Sequence, residues 1–303
     1  VTEARFVHIV DDVPELEGRS DNPVLVTALD GFLDAGNASA LAVGHLTDSD
    51  PGRVVAVFEV DEFYDYRARR PPLTFLEDHY ADYEAPRLVV RLMEDKLDAP
   101  YLLLTGPEPD IRWEAFARAV RTVVEHFSVR LVVSLGSVPM AVPHTRPVQL
   151  TNHATAQRLL VHENVWKGEI RVPASAQSLI ELRLGEWGHD AMGFVAHIPH
   201  YVAQFDYPHA AAALLEGLED VTGLQWDQAA LKEAGEARQV EIATQIADSD
   251  DVREVVTGLE QQYDAFHRQA SNLLAEDEAL PSGEEIGAQF EQFLARLEEP
   301  EGD

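Results

Sequence analysis

PVLVTALDGFLDAGNASALAVGHL, residues 23–46, is the stretch on which the reading of the whole chain turns. PVLVTAL (23–29) is apolar and rich in β-branched residues, which predicts a short buried strand. ASALAVGHL (38–46) predicts a helix. The turn between them holds Gly31 and Gly36, at the outer spacing of a phosphate-binding loop. Such a loop offers backbone N–H groups at a helix start and adds a lysine. Here Asn37 and Ala38 stand where Lys and Ser/Thr are needed, and the three-glycine dinucleotide pattern is absent. Asp34 falls where an N-cap would, so its carboxylate satisfies the first helical N–H groups and repels an anion. The stretch therefore reads as a plain strand–turn–helix junction. In open α/β sheets ligands bind at the carboxyl ends of strands, which makes Asp30, Phe32, Asp34 and Asn37 candidate crevice residues.

The same alternation continues outward. RFVHIV (5–10) and RVVAVFEV (53–60) read as buried strands. RLVVRLMED (87–95) and PYLLLTGP (100–107) flank KLDA as a hairpin. IRWEAFARAVRTVVEHF (111–127) is an amphipathic helix, with Phe116, Val120, Val123, Val124 and Phe127 at helical spacing. VRLVVSLGS (129–137) suits a central strand. A helix at 175–188, a strand at 190–199 and a helix at 208–221 follow. Strands alternating with helices predict an α/β fold: a parallel or mixed sheet with helices on both faces. After residue 224 strand signals stop. Trp226–Ile246 and Ile286–Leu297 read as amphipathic helices, and Val252, Val256, Leu259, Tyr263, Phe266, Ala270 and Leu273 form a heptad seam. The expected division is an α/β domain over 1–224 and a C-terminal helical extension over 225–303. That extension either covers an edge or end of the sheet or serves oligomerisation and partner capture.

Composition narrows the function. The chain has 303 residues, 46% of them hydrophobic, with a formal net charge of −31. Such a surface repels nucleic acid and anionic membranes. No apolar run approaches the roughly 20 residues of a membrane span. VTEARFVHIVDD lacks a basic region followed by an apolar stretch, so no signal peptide is expected. The absence of cysteine removes disulfides and thiolate metal sites and fits a cytoplasmic setting.

Three segments carry candidate chemistry. VFEVDEFYDYRARRPP (57–72) places Arg67, Arg69 and Arg70 together, a basic cluster suited to a neighbouring subunit or a carboxylate-bearing partner, or to internal salt bridges. SVPMAVPHTRP (137–147) is stiffened by three prolines and presents His144, Thr145 and Arg146 as a pocket wall, or else as a long crossover. Ser137 lacks the second glycine of a nucleophile elbow, which argues against a serine hydrolase served by His144. HIPHYVAQFDYPH (197–209) gathers His197, His200, Asp206 and His209, but Pro199 disfavours a helix that would aim them together. Surface or capping histidines are the preferred reading, with Asp206 in a helix N-cap region ahead of Pro208. No metal or cofactor is expected.

ALDGFLDAGNAS, VFEVDEFYDYRARRP, LVVSLGSVPMAVPHTRP and HIPHYVAQFDYPHAAAALL, taken in series over about residues 5–222, resemble the proteasome assembly chaperone family of the second type, in its actinobacterial branch. The resemblance implies a three-layer α/β/α sandwich of nucleoside-phosphorylase type with a mixed, mostly parallel sheet. It also implies a self-associating, non-enzymatic, protein-binding role, with proteasome α subunits as partners. Some archaeal relatives dock through a C-terminal hydrophobic–Tyr–X tail, whereas this sequence ends EEPEGD. The family has no agreed catalytic residues, so none is transferred. The contact candidates are the loops at 30–37, 63–72 and 137–147. An alternative is an enzyme of phosphorylase-like fold binding a nucleoside or nucleotide through Asp30, Asn37, His144, Arg146 and His200. A third reading, an ATP-dependent carboxylate–amine ligase, requires a phosphate site that the sequence does not supply.

Overall fold

The structure is a computed structural model that describes residues 5–18, 21–31, 33–161, 164, 168–247 and 250–273. The opening stretch forms β2 (Val24–Asp30) and α1 (Ala38–Asp48), joined by a short 3-10 turn at Ala35–Asn37. The other strands of the main sheet are β1 (Val7–Ile9), β3 (Arg53–Phe58), β6 (Val89–Glu94), β7 (Pro100–Pro107), β8 (Leu131–Met140), β9 (Leu150–Ala154) and β10 (Ala191–Pro199). They lie in the order β1-β3-β6-β7-β2-β8-β10-β9. β7, β2, β8 and β10 are mutually parallel, and β6 and β9 run antiparallel to them on either flank. A separate two-stranded hairpin pairs β4 (Thr74–Leu76) with β5 (His79–Ala81).

Alternate residues of each central strand serve different cores, as strand geometry requires. Val24, Val26 and Ala28 of β2 face one layer, where Ala42 and Leu46 of α1 meet Leu214, Leu215 and Leu218 of α4 (Pro208–Thr222). Leu25 faces the other, formed by α2 (Trp113–His126) and α3 (Ala176–Glu186). Four α2 residues at helical spacing, Phe116, Val120, Val123 and Val124, are buried there, as is Phe127 just past the helix end. Each contributes about 1.5–3 kcal/mol relative to exposure. Ser175 caps α3 reciprocally with Ser178. The three-layer α/β/α sandwich with a mixed sheet is thus present.

Four details depart from expectation. β3 is not buried on both faces, because Val54 and Val57 point to a side left exposed by the described residues. The segment after the three prolines is not only a crossover. It contains β9, which closes the sheet edge beside β10. The hairpin β4–β5 carried no apolar run to announce it. Helix α5 (Ala229–Ala247) starts three residues later than its sequence pattern. Beyond it, α6 (Asp250–Leu273) covers the heptad segment, whereas 286–297 lies outside the described residues. Trp226, Leu231 and Ile242 join the same core as α1 and α4. Among the described residues, no helix is long and apolar enough to cross a membrane.

Candidate functional site

The carboxyl ends of β7, β2, β8 and β10 converge on one edge of the sheet, and the loops leaving them are tied together. Gly36 adopts φ +66°, where a Cβ would lie 2.8 Å from the Tyr207 Cβ. This close approach lets the Gly36 N–H donate to the Ala203 carbonyl and its carbonyl accept from the Tyr207 N–H, each at 2.8 Å. Asp34 accepts from the N–H groups of Ser39 (2.9 Å) and Ala40 (3.0 Å). It also accepts from the buried Ser137 hydroxyl at 2.8 Å. The start of α1 is therefore filled by the protein's own carboxylate, as the sequence reading expected, but Asp34 is not the N-cap: Asn37 holds that position, and Asp34 reaches the amides from five and six residues ahead. Asn37 donates to Asp206 at 2.6 Å. That bond corrects the capping role expected for Asp206: α4 starts at Pro208 with no side-chain cap. Phe32 lies outside the described residues.

Asp30 ends β2 with its carboxyl raised above the usual value. Partial desolvation is the main cause and the Asp34 charge adds to it, while Arg69 opposes both. Arg69 itself pins the 59–72 loop. It donates to the Glu108 carbonyl (2.5 Å), pairs with Asp110 (2.9 Å) and stacks over Tyr64. Glu108 in turn accepts from the Ala176 N–H at the start of α3, at 2.6 Å. Of the basic cluster, Arg69 is thus internal. Arg67 and Arg70 are exposed and make no ion pair among the described residues.

The loop after β8 holds the C-terminal helices. The buried His144 gives its backbone N–H to the Tyr201 hydroxyl, and its Nδ1 shares a hydrogen bond with the same hydroxyl, both at 2.8 Å. Burial holds this imidazole below its usual value, with Glu260 opposing. The His144 carbonyl accepts from Gln239 of α5 at 2.7 Å. Arg146 clamps Asp264 of α6 with two bonds, 2.8 and 2.7 Å, and reaches Glu260 at 3.3 Å. Thr145 also bonds Glu260. Ser137 and His144 are committed to different partners and do not form a nucleophile–base pair. His200 is exposed against the Tyr201 ring. His197 bonds Thr151 at 2.8 Å, and His209 packs on Gly235 of α5. No group that could hold a metal occurs among the described residues.

The 137–147 segment does form a pocket wall, through Met140, Ala141 and Val142 rather than His144, Thr145 or Arg146: it lines a cavity of about 270 Å³ between the ends of β8 and β10 and α6. Met140, Val142, Leu150, His197 and Phe266 line it. A second, of about 300 Å³, lies between Phe205 and the helices α5 and α6. Their other walls come from segments far apart in the chain, so no local pattern shows what the 137–147 segment faces. Neither is lined by Asp30, Asn37, His144, Arg146 or His200.

Together these features define a three-layer α/β/α protein whose strand-end loops are bonded to one another and partly roofed by C-terminal helices. The chain belongs to the PAC2 family, whose model matches residues 28–246. A Mycobacterium tuberculosis protein of unknown function is 44% identical and superposes with a TM-score of 0.80, over 87% of this chain and 92% of that one. A Corynebacterium glutamicum protein of unknown function is 35% identical, with a TM-score of 0.81 over 86% of this chain and 97% of its own. A proteasome-assembly chaperone homologue of M. tuberculosis is 29% identical, with a TM-score of 0.71 over 77% and 99%. No curated protein matches the chain.

Proposed function

We propose that this chain is a protein-binding assembly chaperone that works as a homo-oligomer on proteasome α subunits, without a cofactor and in the cytoplasm. The observation that carries the reading is its 29% identity, over nearly the whole length of the relative, to the mycobacterial proteasome-assembly chaperone homologue. The strand-end geometry supports it. Polar groups there are spent on joining loops, as in a scaffold that presents a surface, and Ser137 and His144 are not assembled for acyl transfer. Loops 30–37 and 63–72 and the exposed part of 137–147 are the contact surfaces in this reading. The test is co-purification from the native host with tagged full-length protein. Recovery of unassembled proteasome α subunits is the expected result. Recovery of the tagged chain alone, with no α subunit at any salt concentration, overturns it.

A further inference from the structure

Of the six described α-helices, α6 alone gives no residue to either hydrophobic core. Among its described side chains only Val256 and Leu259 are buried, while Val252, Val255 and Phe266 stay exposed. It also lies beyond residue 246, where the family match ends. Tyr263 and Phe266 wall the cavity of about 270 Å³, and Val252 walls the one of about 300 Å³.

What holds α6 is polar and local. Three consecutive residues after β8 reach it. Thr145 donates to Glu260, Arg146 grips Asp264 with two bonds and Glu260 with one, and the Pro147 carbonyl accepts from the Tyr263 hydroxyl at 3.3 Å. Glu260, Tyr263 and Asp264 stand at i, i+3 and i+4, so they share one face of the helix. A planar guanidinium with fixed donors suits two carboxylates one turn apart. The Arg146 and Asp264 side chains are 30% and 43% exposed, so water and salt weaken the clamp. Beside it the surface is apolar: Met140, Val142 and Leu150 line the same cavity as Tyr263. This surface lies at the carboxyl ends of β8 and β10, the end of such sheets where ligands bind.

We propose that the surface at residues 140–150 is a docking site for an acidic amphipathic helix of a partner protein, and that α6 closes it in cis by presenting the same groups. The partner helix carries carboxylates at i and i+4 and a tyrosine at i+3, the pattern that α6 displays, and docks as a helix in a groove. The inference rests on the footprint of α6 and not on proteasome subunits being the partner.

The probe is a fluorescein-labelled peptide of the α6 sequence, residues 250–273, read by anisotropy against the full chain. Glu260→Arg/Asp264→Arg sets three arginines against one another and should release α6, seen as faster amide exchange there while β2 and β8 stay protected. That opened chain should bind the peptide roughly 10-fold or more tighter than the parent, whose own α6 competes at the high effective concentration of a tethered group. A peptide carrying the same two substitutions should not bind. Adding Arg146→Glu to the opened chain should close α6 again through exchanged charges and return peptide binding to the parent level. Should the arginines disturb β2 or β8, Glu260→Gln/Asp264→Asn is a gentler release with the same expectations. An α6 that stays protected in these variants overturns the displaceable clamp. An opened chain with β2 and β8 intact that ignores the peptide, or binds both peptides alike, overturns the docking site. A parent oligomer that the peptide dissociates shows a second copy's α6 to be the occupant and overturns the assignment to a different protein. None of these measurements uses proteasome subunits, so the chaperone reading stands or falls separately by co-purification.

Discussion

Replacing Asp34 with alanine tests whether the start of α1 is held by that carboxylate. The variant removes the acceptor for two amides and one hydroxyl. Losing the cap alone costs about 1 kcal/mol. Ser39 is buried, so its orphaned N–H adds about 1–2 kcal/mol. Ala40 N–H is exposed and recovers water. Ser137 retains the Ala35 carbonyl at 2.8 Å, which limits its share. The sum is about 2–3 kcal/mol, roughly a 100-fold fall in the folding constant. Urea denaturation, followed by tryptophan fluorescence and far-UV circular dichroism, measures it. Sulfate should stabilise Asp34→Ala more than the parent, because the vacated amides then accept an anion. In a double-mutant cycle, Asp34→Ala and Ser137→Ala should couple by about 0.5–1.5 kcal/mol. A loss below about 0.5 kcal/mol, with no coupling and no sulfate effect, refutes the reasoning.

Other outcomes follow from the same geometry. Gly36→Ala should cost about 2–4 kcal/mol in thermal or urea unfolding, since the left-handed backbone and the backbone-anchored Tyr207 Cβ both resist a methyl. Arg146→Ala should raise amide exchange across α6 while leaving β2 and β8 protected, and high salt should mimic it in the parent because the clamp is partly exposed. His144, His197 and His209 are all held below their usual value, chiefly by burial. The unfolded chain therefore binds protons that the folded one refuses. Stability is full above about pH 6.5 and falls as pH drops below it. His197→Asn should flatten that slope in urea titrations between pH 7 and 5.

The sheet centre was legible because β2, β7, β8 and β10 are continuous apolar runs, and α2 because one stripe of it is apolar. β9 (LTNHA) was not: it pairs with β10 on one side only and leaves polar residues part-exposed, so it shows no apolar period. The hairpin's three-residue strands were too short to mark. Within the site, Asp34 was readable because capping is local chemistry. The partners of Arg146 and His144 were not, since α6 and Gln239 meet them from about a hundred residues away. Asp206 misled for the same reason: its position suggested a cap, but a distant Asn37 took its carboxylate.

The alternation along β2 bears on how this chain can change length. Val24, Val26 and Ala28 belong to one layer and Leu25 to the other. Deleting a single residue within β2 sends every later side chain of the strand to the wrong layer, so both layers lose their filling at once. The excursion between β3 and β6 obeys no such parity, because most of it enters neither core. Insertions and deletions should therefore be tolerated at 64–86 and refused at 24–30, which a library of single-codon deletions scored for soluble expression would display directly.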